Sequence, residues 1–181
     1  MATPQHDVVH LRPLVPGDAQ TLASWARDVA FCQAADWSAD LPYERYSTFW
    51  RDLIQAPPPD LIRLGVIHEG VLAGYIDLHG SEPTRRELGF VIGSRDRWAR
   101  GLGRRAAAAA LRYGFQDLRL NEVWAKALDS NQRSVRLLQR LGMRETARGD
   151  EAEFLCQPTF YRQFILTASE WRGTDRPKGP G

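Results

Sequence analysis

Three stretches of this sequence predict an α/β fold built on a mixed β-sheet. Residues 61–79 are two apolar runs joined by Glu69-Gly70, the pattern of an antiparallel hairpin. Residues 87–118 run from an apolar strand through a polar bend into an Ala-rich helix. Residues 122–141 repeat strand then helix. Hairpins combined with a central strand–helix–strand unit imply a sheet with both pairing directions.

The remaining elements follow in order. VVHLRPL at 8–14 alternates as a first strand, and Pro13 places it at an edge or marks its end. Pro16-Gly17-Asp18 reads as a turn, with Asp18 able to cap a helix from Ala19 to about Val29. Residues 31–42 read as irregular, and a second helix spans Tyr43 to about Ile54 until the prolines at 57–59 stop it. Residues 82–86 are expected to be loop, and Glu87–Ile92 a strand. The helix Gly103–Leu118 carries the small run Ala106–Ala110, which favours helix and permits close approach to a sheet. Glu122–Leu128 is a strand, and Asn131–Leu141 a helix ended by Gly142. Arg144–Arg148 and Phe160–Thr167 are the last two strands. Residues 1–171 read as one domain, and the Pro/Gly-rich stretch 172–181 as a disordered tail.

Composition narrows the class. The chain has 181 residues, a hydrophobic share of 43% and a charged share of 25%, ordinary for a globular protein. A net charge of +2 carries no overall nucleic-acid or membrane footprint. No run approaches the ~18 apolar residues of a membrane span. MATPQHDVV lacks an apolar signal core. Cys32 and Cys156 lack metal or redox spacing, which fits two reduced thiols, no metal site and a cytoplasmic protein.

The densest chemical signal is Arg100-Gly101-Leu102-Gly103-Arg104, set between a strand and a helix. Glycines let backbone N–H groups approach an anion, and a helix start aims its unpaired N–H groups and positive dipole end at the same place. Arg97, Arg100, Arg104 and Arg105 add charge suited to phosphate. No Lys-Ser or Lys-Thr follows the glycines, which excludes a P-loop. A dinucleotide fingerprint fits only in its looser form ending at Ala106. Its context fails, because no acidic residue closes a second parallel strand about 20 residues on.

Trp98-Ala99-Arg100-Gly101-Leu102-Gly103 resembles the Q/R-x-x-G-x-G/A pyrophosphate loop of the GNAT N-acetyltransferases. The first-position Trp and the later NEVWAKALDSNQRSVRLLQRLGM, residues 121–143, resemble the branch containing the ribosomal-protein N-terminal alanine acetyltransferases. The resemblance covers residues 8–171. It implies a sheet whose two central strands splay into a V with helices on both faces. It also implies acetyl-CoA as cosubstrate, held at its diphosphate by residues 98–104. The pantetheine arm would lie along the strand edge Phe90-Val91-Ile92, with Asn131 touching it, and the Val91 or Ile92 amide would polarise the thioester oxygen.

The same resemblance marks catalytic candidates. Glu87 stands eleven residues before Trp98, where histone-type members hold a general base. An amine of pKa about 8 to 10 arrives mostly protonated and must lose that proton before attack. Pairing of Glu87 with Arg85 or Arg86 is the bland alternative. Many members place a Tyr acid seven residues after the Asn; here that position is Leu138. The resemblance puts Ser134, which in that branch lies near the CoA sulfur, or a water in the role of proton donor to the departing thiolate; plain helix capping or solvent exposure is the alternative for Ser134. Asn131 also reads as a helix N-cap, and the two roles are compatible.

Acceptor recognition falls to the N-terminal third, where Trp37 and Asp36 stand amid further aromatics and acids, with Asp77 as a third acceptor residue; Asp77 and His79 are also the second candidates for the general base after Glu87. Aromatics beside acids suit a cationic amine. The expected acceptor is a protein N-terminus or a small amine, and a homodimer is compatible with the aromatics between Phe154 and Phe164. Neither Cys lies in an activating motif, so direct transfer in a ternary complex is expected. A GNAT-fold module that binds CoA without turnover is the rival reading, and a dinucleotide-dependent oxidoreductase a distant one.

Overall fold

The hairpin predicted at 61–79 forms with its expected limits: β2 (Leu61–His68) and β3 (Val71–His79) pair antiparallel across Glu69-Gly70. Both turn residues hold positive φ, 52° and 78°, as a two-residue hairpin turn of primed type requires. The structure, a computed structural model, describes residues 8–154 and 157–174. The other strands are β1 (His10–Pro13), β4 (Arg85–Ile92), β5 (Glu122–Leu128), β6 (Arg144–Phe154) and β7 (Gln157–Thr167). They form a seven-stranded sheet in the order β1-β2-β3-β4-β5-β7-β6. β4 pairs parallel with β5 from Arg85↔Glu122 to Glu87↔Trp124, and β7 pairs antiparallel with β5 and β6, so the sheet is mixed as expected.

The helices are α1 (Asp18–Trp25), α2 (Val29–Ala35), α3 (Tyr43–Gln55), α4 (Leu102–Arg112), α5 (Gln132–Arg140) and α6 (Ala168–Thr174). Three departures from expectation have local causes. Residues 19–29 are not one helix, and 31–35 are not irregular. Asp28 leaves the helical region at φ −96°, ψ 104°, and its side chain caps a new helix through the N–H groups of Ala30 and Phe31. α4 ends at Arg112 and widens into a π-helical turn, Tyr113–Asp117, within which Phe115 is buried and stacks on Trp171 at 5.3 Å. The final helix begins in a capping box, since Thr167 Oγ1 accepts from the Glu170 N–H while Glu170 Oε2 accepts from the Thr167 N–H. That helix runs to Thr174, past the expected start of the tail; residues 175–181 and Cys156 lie outside the described residues.

The chain divides into two compact units, one containing residues up to His79 and Gly89–Ala110, the other Gly80–Leu88 and residues from Leu111 onward. The core of the first is aromatic, with Trp25, Phe31, Tyr46, Trp50 and Tyr75 buried beside Leu22 and Cys32. In the second, Val123, Ala125 and Ala127 of β5 alternate inward along with Phe164 and Leu166 of β7 and Val135 and Leu138 of α5.

Asp18 does not cap α1; the N-cap is Gly17, without a side-chain bond. Its carboxylate turns back to take both guanidinium nitrogens of Arg12, at 2.7 and 2.9 Å, and the Val15 N–H at 2.8 Å. Burial alone would raise this carboxyl, yet the Arg12 and Val15 donors hold it below its ordinary 3.8. A carboxyl lowered in the folded state stabilises above its unfolded value, and that contribution fades as pH falls through the folded value. Asp18→Asn should therefore cost about 2 kcal/mol at neutral pH, from charge-assisted bonds weakened to neutral ones. Urea melts at pH 7 and pH 3 should show the difference from wild type shrinking at the lower pH.

Candidate active site

The polar bend forms as a short 3₁₀ turn, Arg95–Arg97, followed by a loop that enters α4 at Leu102. Trp98 anchors it, with its indole N–H shared between the carbonyls of Ile92 at 3.0 Å and Gly93 at 3.1 Å. Ala99 and Gly101 both adopt left-handed φ, 62° and 74°. Only Gly101 does so without cost, because a Cβ at this φ crowds its own backbone. The first internal bond at the helix start is Arg105 N–H to Gly101 O at 3.1 Å. Among the described residues, the six backbone N–H groups from Ala99 to Arg104 donate to no protein acceptor. Arg97, Arg100 and Arg104 form no ion pair among the described residues, whereas Arg95 is tied to Asp28. The strand end and helix start thus leave free amides and free cations at one place, the chemistry a diphosphate requires.

The first unit also holds the three acceptor candidates. Asp36 ends α2 in the left-handed region at φ 56° and is exposed. Trp37 is half-buried and packs against the core, 5.0 Å from Phe31 edge-on, 5.5 Å from Tyr46 stacked and 5.4 Å from Trp50. It lines a cavity of about 580 Å³ together with Arg45, Tyr46, Phe49, Trp50, Arg63 and Tyr75. Asp77 is engaged: Arg63 Nε and Nη2 grip its two oxygens, each at 2.6 Å. Burial is the main reason the Tyr75 phenol is pushed up to about 12, so it stays protonated across any working pH. His79 pairs with Asp60 at 3.2 Å and is exposed. On the strand Phe90-Val91-Ile92 all three residues are half-buried.

The second unit holds Glu87, Asn131 and Ser134. Glu87 is 22% exposed, and its partner is Lys126 of β5 at 3.6 Å rather than Arg85 or Arg86. Arg85 is engaged with Glu122 at 2.6 Å, and Arg86 donates to the Arg85 carbonyl. Asn131 is the N-cap of α5, its Oδ1 accepting the Ser134 N–H at 3.2 Å. Ser134 is half-buried, and among the described residues its hydroxyl makes no protein hydrogen bond. Leu138, at the usual Tyr position, is buried in the core at 1% exposure and offers no proton. Cys32 is buried, with its thiol raised by burial first and by Asp28 second, which suits packing rather than nucleophilic attack.

Arg63 is the residue the sequence did not announce, although a lone Arg in an apolar strand that pairs with Asp77 across the hairpin marks a built ion pair. Among the described residues, no cluster of His, Cys, Asp or Glu could hold a metal ion, and no helix is long and apolar enough to cross a membrane.

These features describe an α/β protein with an anion-receptive loop between a central strand and a helix. Residues 9–144 match the family model for the acetyltransferase (GNAT) domain, well over half the chain, and the chain belongs to that family. It is an acetyl-CoA-dependent N-acetyltransferase. Among its relatives is YdaF of Bacillus subtilis (strain 168), provisionally named a ribosomal N-acetyltransferase, 26% identical over 172 residues covering 92% of this chain and 89% of that one. The fold matches that of a GNAT-family acetyltransferase from Bacillus anthracis (TM-score 0.75, 19% identity, 91% of this chain and 98% of that one). It also matches the Vibrio cholerae spermidine N-acetyltransferase solved with CoA and spermine (TM-score 0.77, 17% identity, 91% and 98%).

Proposed function

We propose that the protein transfers the acetyl group directly from acetyl-CoA to a primary amine, with no covalent enzyme intermediate, and that the acceptor is a protein N-terminus or a small amine. The observation that carries this reading is the run of six amides, Ala99 to Arg104, unbonded among the described residues, beside Arg97, Arg100 and Arg104, which form no ion pair among them. Backbone donors and guanidinium groups suit a diphosphate, and neither group can act as nucleophile or base. They therefore hold the cosubstrate while other residues handle protons. Bound acetyl-CoA supplies an activated acyl group.

The chain's own residues then have distinct tasks. Trp98 fixes the loop to the end of β4 through its indole N–H. Glu87 takes the proton from the arriving ammonium, directly or through water, so that the amine lone pair is free to form the new C–N bond. The C–S bond breaks as that bond forms; Ser134 gives the departing thiolate its proton and is reprotonated, through water, by the second proton that the new amide nitrogen sheds, and among the described residues its hydroxyl has no other hydrogen bond to break. Asn131 orders the first turn that carries Ser134. A Val91 or Ile92 amide stabilises the developing oxyanion. The relationship to YdaF supports the protein N-terminus as acceptor, and the fold shared with the spermidine enzyme supports the small amine.

Initial-rate kinetics with acetyl-CoA and a primary-amine acceptor test this directly. Intersecting double-reciprocal lines are expected; parallel lines would show a covalent acetyl-enzyme and overturn direct transfer. Glu87→Gln should lower kcat/KM for the acceptor about 10²-fold near neutral pH, with the loss shrinking at high pH where the amine arrives neutral. A uniform loss across pH would remove Glu87 from the role of base.

A further inference from the structure

We infer that the 580 Å³ cavity of the first unit is the acceptor's specificity pocket, and that it takes an uncharged aromatic group carried beside the reacting amine while excluding polyamines. The inference rests on the transferase reading above and names its substrate class.

The wall is aromatic, formed by Trp37, Tyr46, Phe49, Trp50 and Tyr75. Such a wall attracts cations only through ring faces, and four of its five rings already have a face engaged. The Arg63 guanidinium lies 5.1 Å from the Trp50 ring centroid and 4.6 Å from that of Tyr75. Trp37 and Tyr46 cover one another, 5.5 Å apart with only 19° between their planes. A second cation drawn to these rings would meet Arg63.

The charges lining the cavity point the same way. Asp52 is its one carboxylate among the described lining residues, opposed by Arg45 and Arg63. The Asp77 carboxylate, which could otherwise offset a ligand cation, has both oxygens bound to Arg63. A polyamine brings at least two ammonium groups, and each, once removed from water, requires its own counter-charge. An aryl ring requires none and gains from edge-to-face and offset contact with the wall.

The cavity is also joined to the cofactor loop. Phe31 contacts Trp37 of the wall at 5.0 Å and Trp98 of the loop at 6.5 Å, so one ring connects the two sites within the same unit.

Thiol release from acetyl-CoA by the full-length protein should be measured with 2-phenylethylamine, a Phe-initiated peptide, an Ala-initiated peptide and spermidine. The aryl acceptors should exceed spermidine and the Ala peptide at least tenfold in kcat/KM. A higher rate for the free amine names a small arylalkylamine as the source, and a higher rate for the Phe peptide names a protein N-terminus. Thr48→Trp, at an exposed position lining the cavity, should abolish the aryl advantage without changing KM for acetyl-CoA. Arg63→Gln should uncover Asp77 and the ring faces, and shift preference toward spermidine. Should that variant not fold, Thr48→Trp and Phe49→Ala decide, since Phe49 is 55% exposed.

Spermidine or the Ala peptide matching the aryl acceptors would overturn the inference and leave the transferase reading intact. Absence of thiol release with every acceptor would overturn the transferase reading instead. Calorimetry then judges the pocket separately: 2-phenylethylamine binding that is lost in Thr48→Trp upholds it, and no binding to wild type overturns it.

Discussion

Gly93→Ala is expected to destabilise the protein by about 3 kcal/mol, the upper end of the range for overpacking a filled core. Gly93 directly follows β4, its N–H bound to the Ala73 carbonyl at 2.9 Å, and it is buried. A Cβ built there would lie 2.2 Å from Cε2 and 2.5 Å from Cζ2 of Trp25, a distance no real pair of carbons adopts. The indole is 6% exposed and packs edge-on to Phe31 at 6.0 Å, so it cannot yield without disturbing the aromatic core. The same residue lends its carbonyl to Trp98, so a shifted backbone also loosens the cofactor loop. Thermal unfolding should fall by roughly 6–12 °C, taking ~2–4 °C per kcal/mol for a chain of this size. KM for acetyl-CoA should rise as well. Gly89→Ala on the same strand is the control. Its added methyl would meet Asp77 Cβ at an ordinary 3.5 Å, and it should melt within a few degrees of wild type. Equal melting of the two variants would show that the Trp25 contact does not hold this strand end in place.

How much of this could be read from the residues depends on whether the controlling physics is local. The β2–β3 hairpin and β5 have the limits expected of them, because a two-residue turn and an alternating apolar pattern are local signals. Asn131 was legible as a cap for the same reason: the residue and its N–H partner lie three positions apart. α2 was not, because seven residues are too few for a clear helical period and the break depends on one dihedral at Asp28. The Arg63–Asp77 pair was hidden by a bulge. Counting back from the turn, where His68 faces Val71, would set Arg63 opposite Ile76; the shift between Val66 and Ile67 sets it opposite Asp77. The bulge therefore changed the role of Asp77 from a free acid to a fixed partner. For Glu87 the sequence offered Arg85 and Arg86 as neighbours, but cross-strand pairing supplied Lys126 and left those arginines to Glu122 and a backbone carbonyl.

The second large effect is expected at the loop itself, from Gly101→Val. Gly101 holds φ at 74°, and nothing lies within 4 Å of a Cβ built there. Space is therefore not the obstacle; the dihedral is. A β-branched residue in the left-handed region costs about 1–2 kcal/mol and escapes that cost only by rotating the peptide planes on either side. Those planes carry the unbonded amides between Ala99 and Arg104. Each amide turned away from a charged phosphate forfeits about 1.5–3 kcal/mol. KM for acetyl-CoA should consequently rise by roughly 10- to 100-fold. The melting temperature in the absence of CoA should stay near that of wild type, because the loop packs against nothing at this position. Gly101→Asn separates dihedral from bulk, since Asn enters the left-handed region readily; it should remain within a few fold of wild type. Added salt should weaken CoA binding in both variants alike, because Arg97, Arg100 and Arg104 are retained. If valine were accepted without a change in KM, the backbone N–H groups would not be what grips the diphosphate. The guanidinium groups alone would then have to account for recognition.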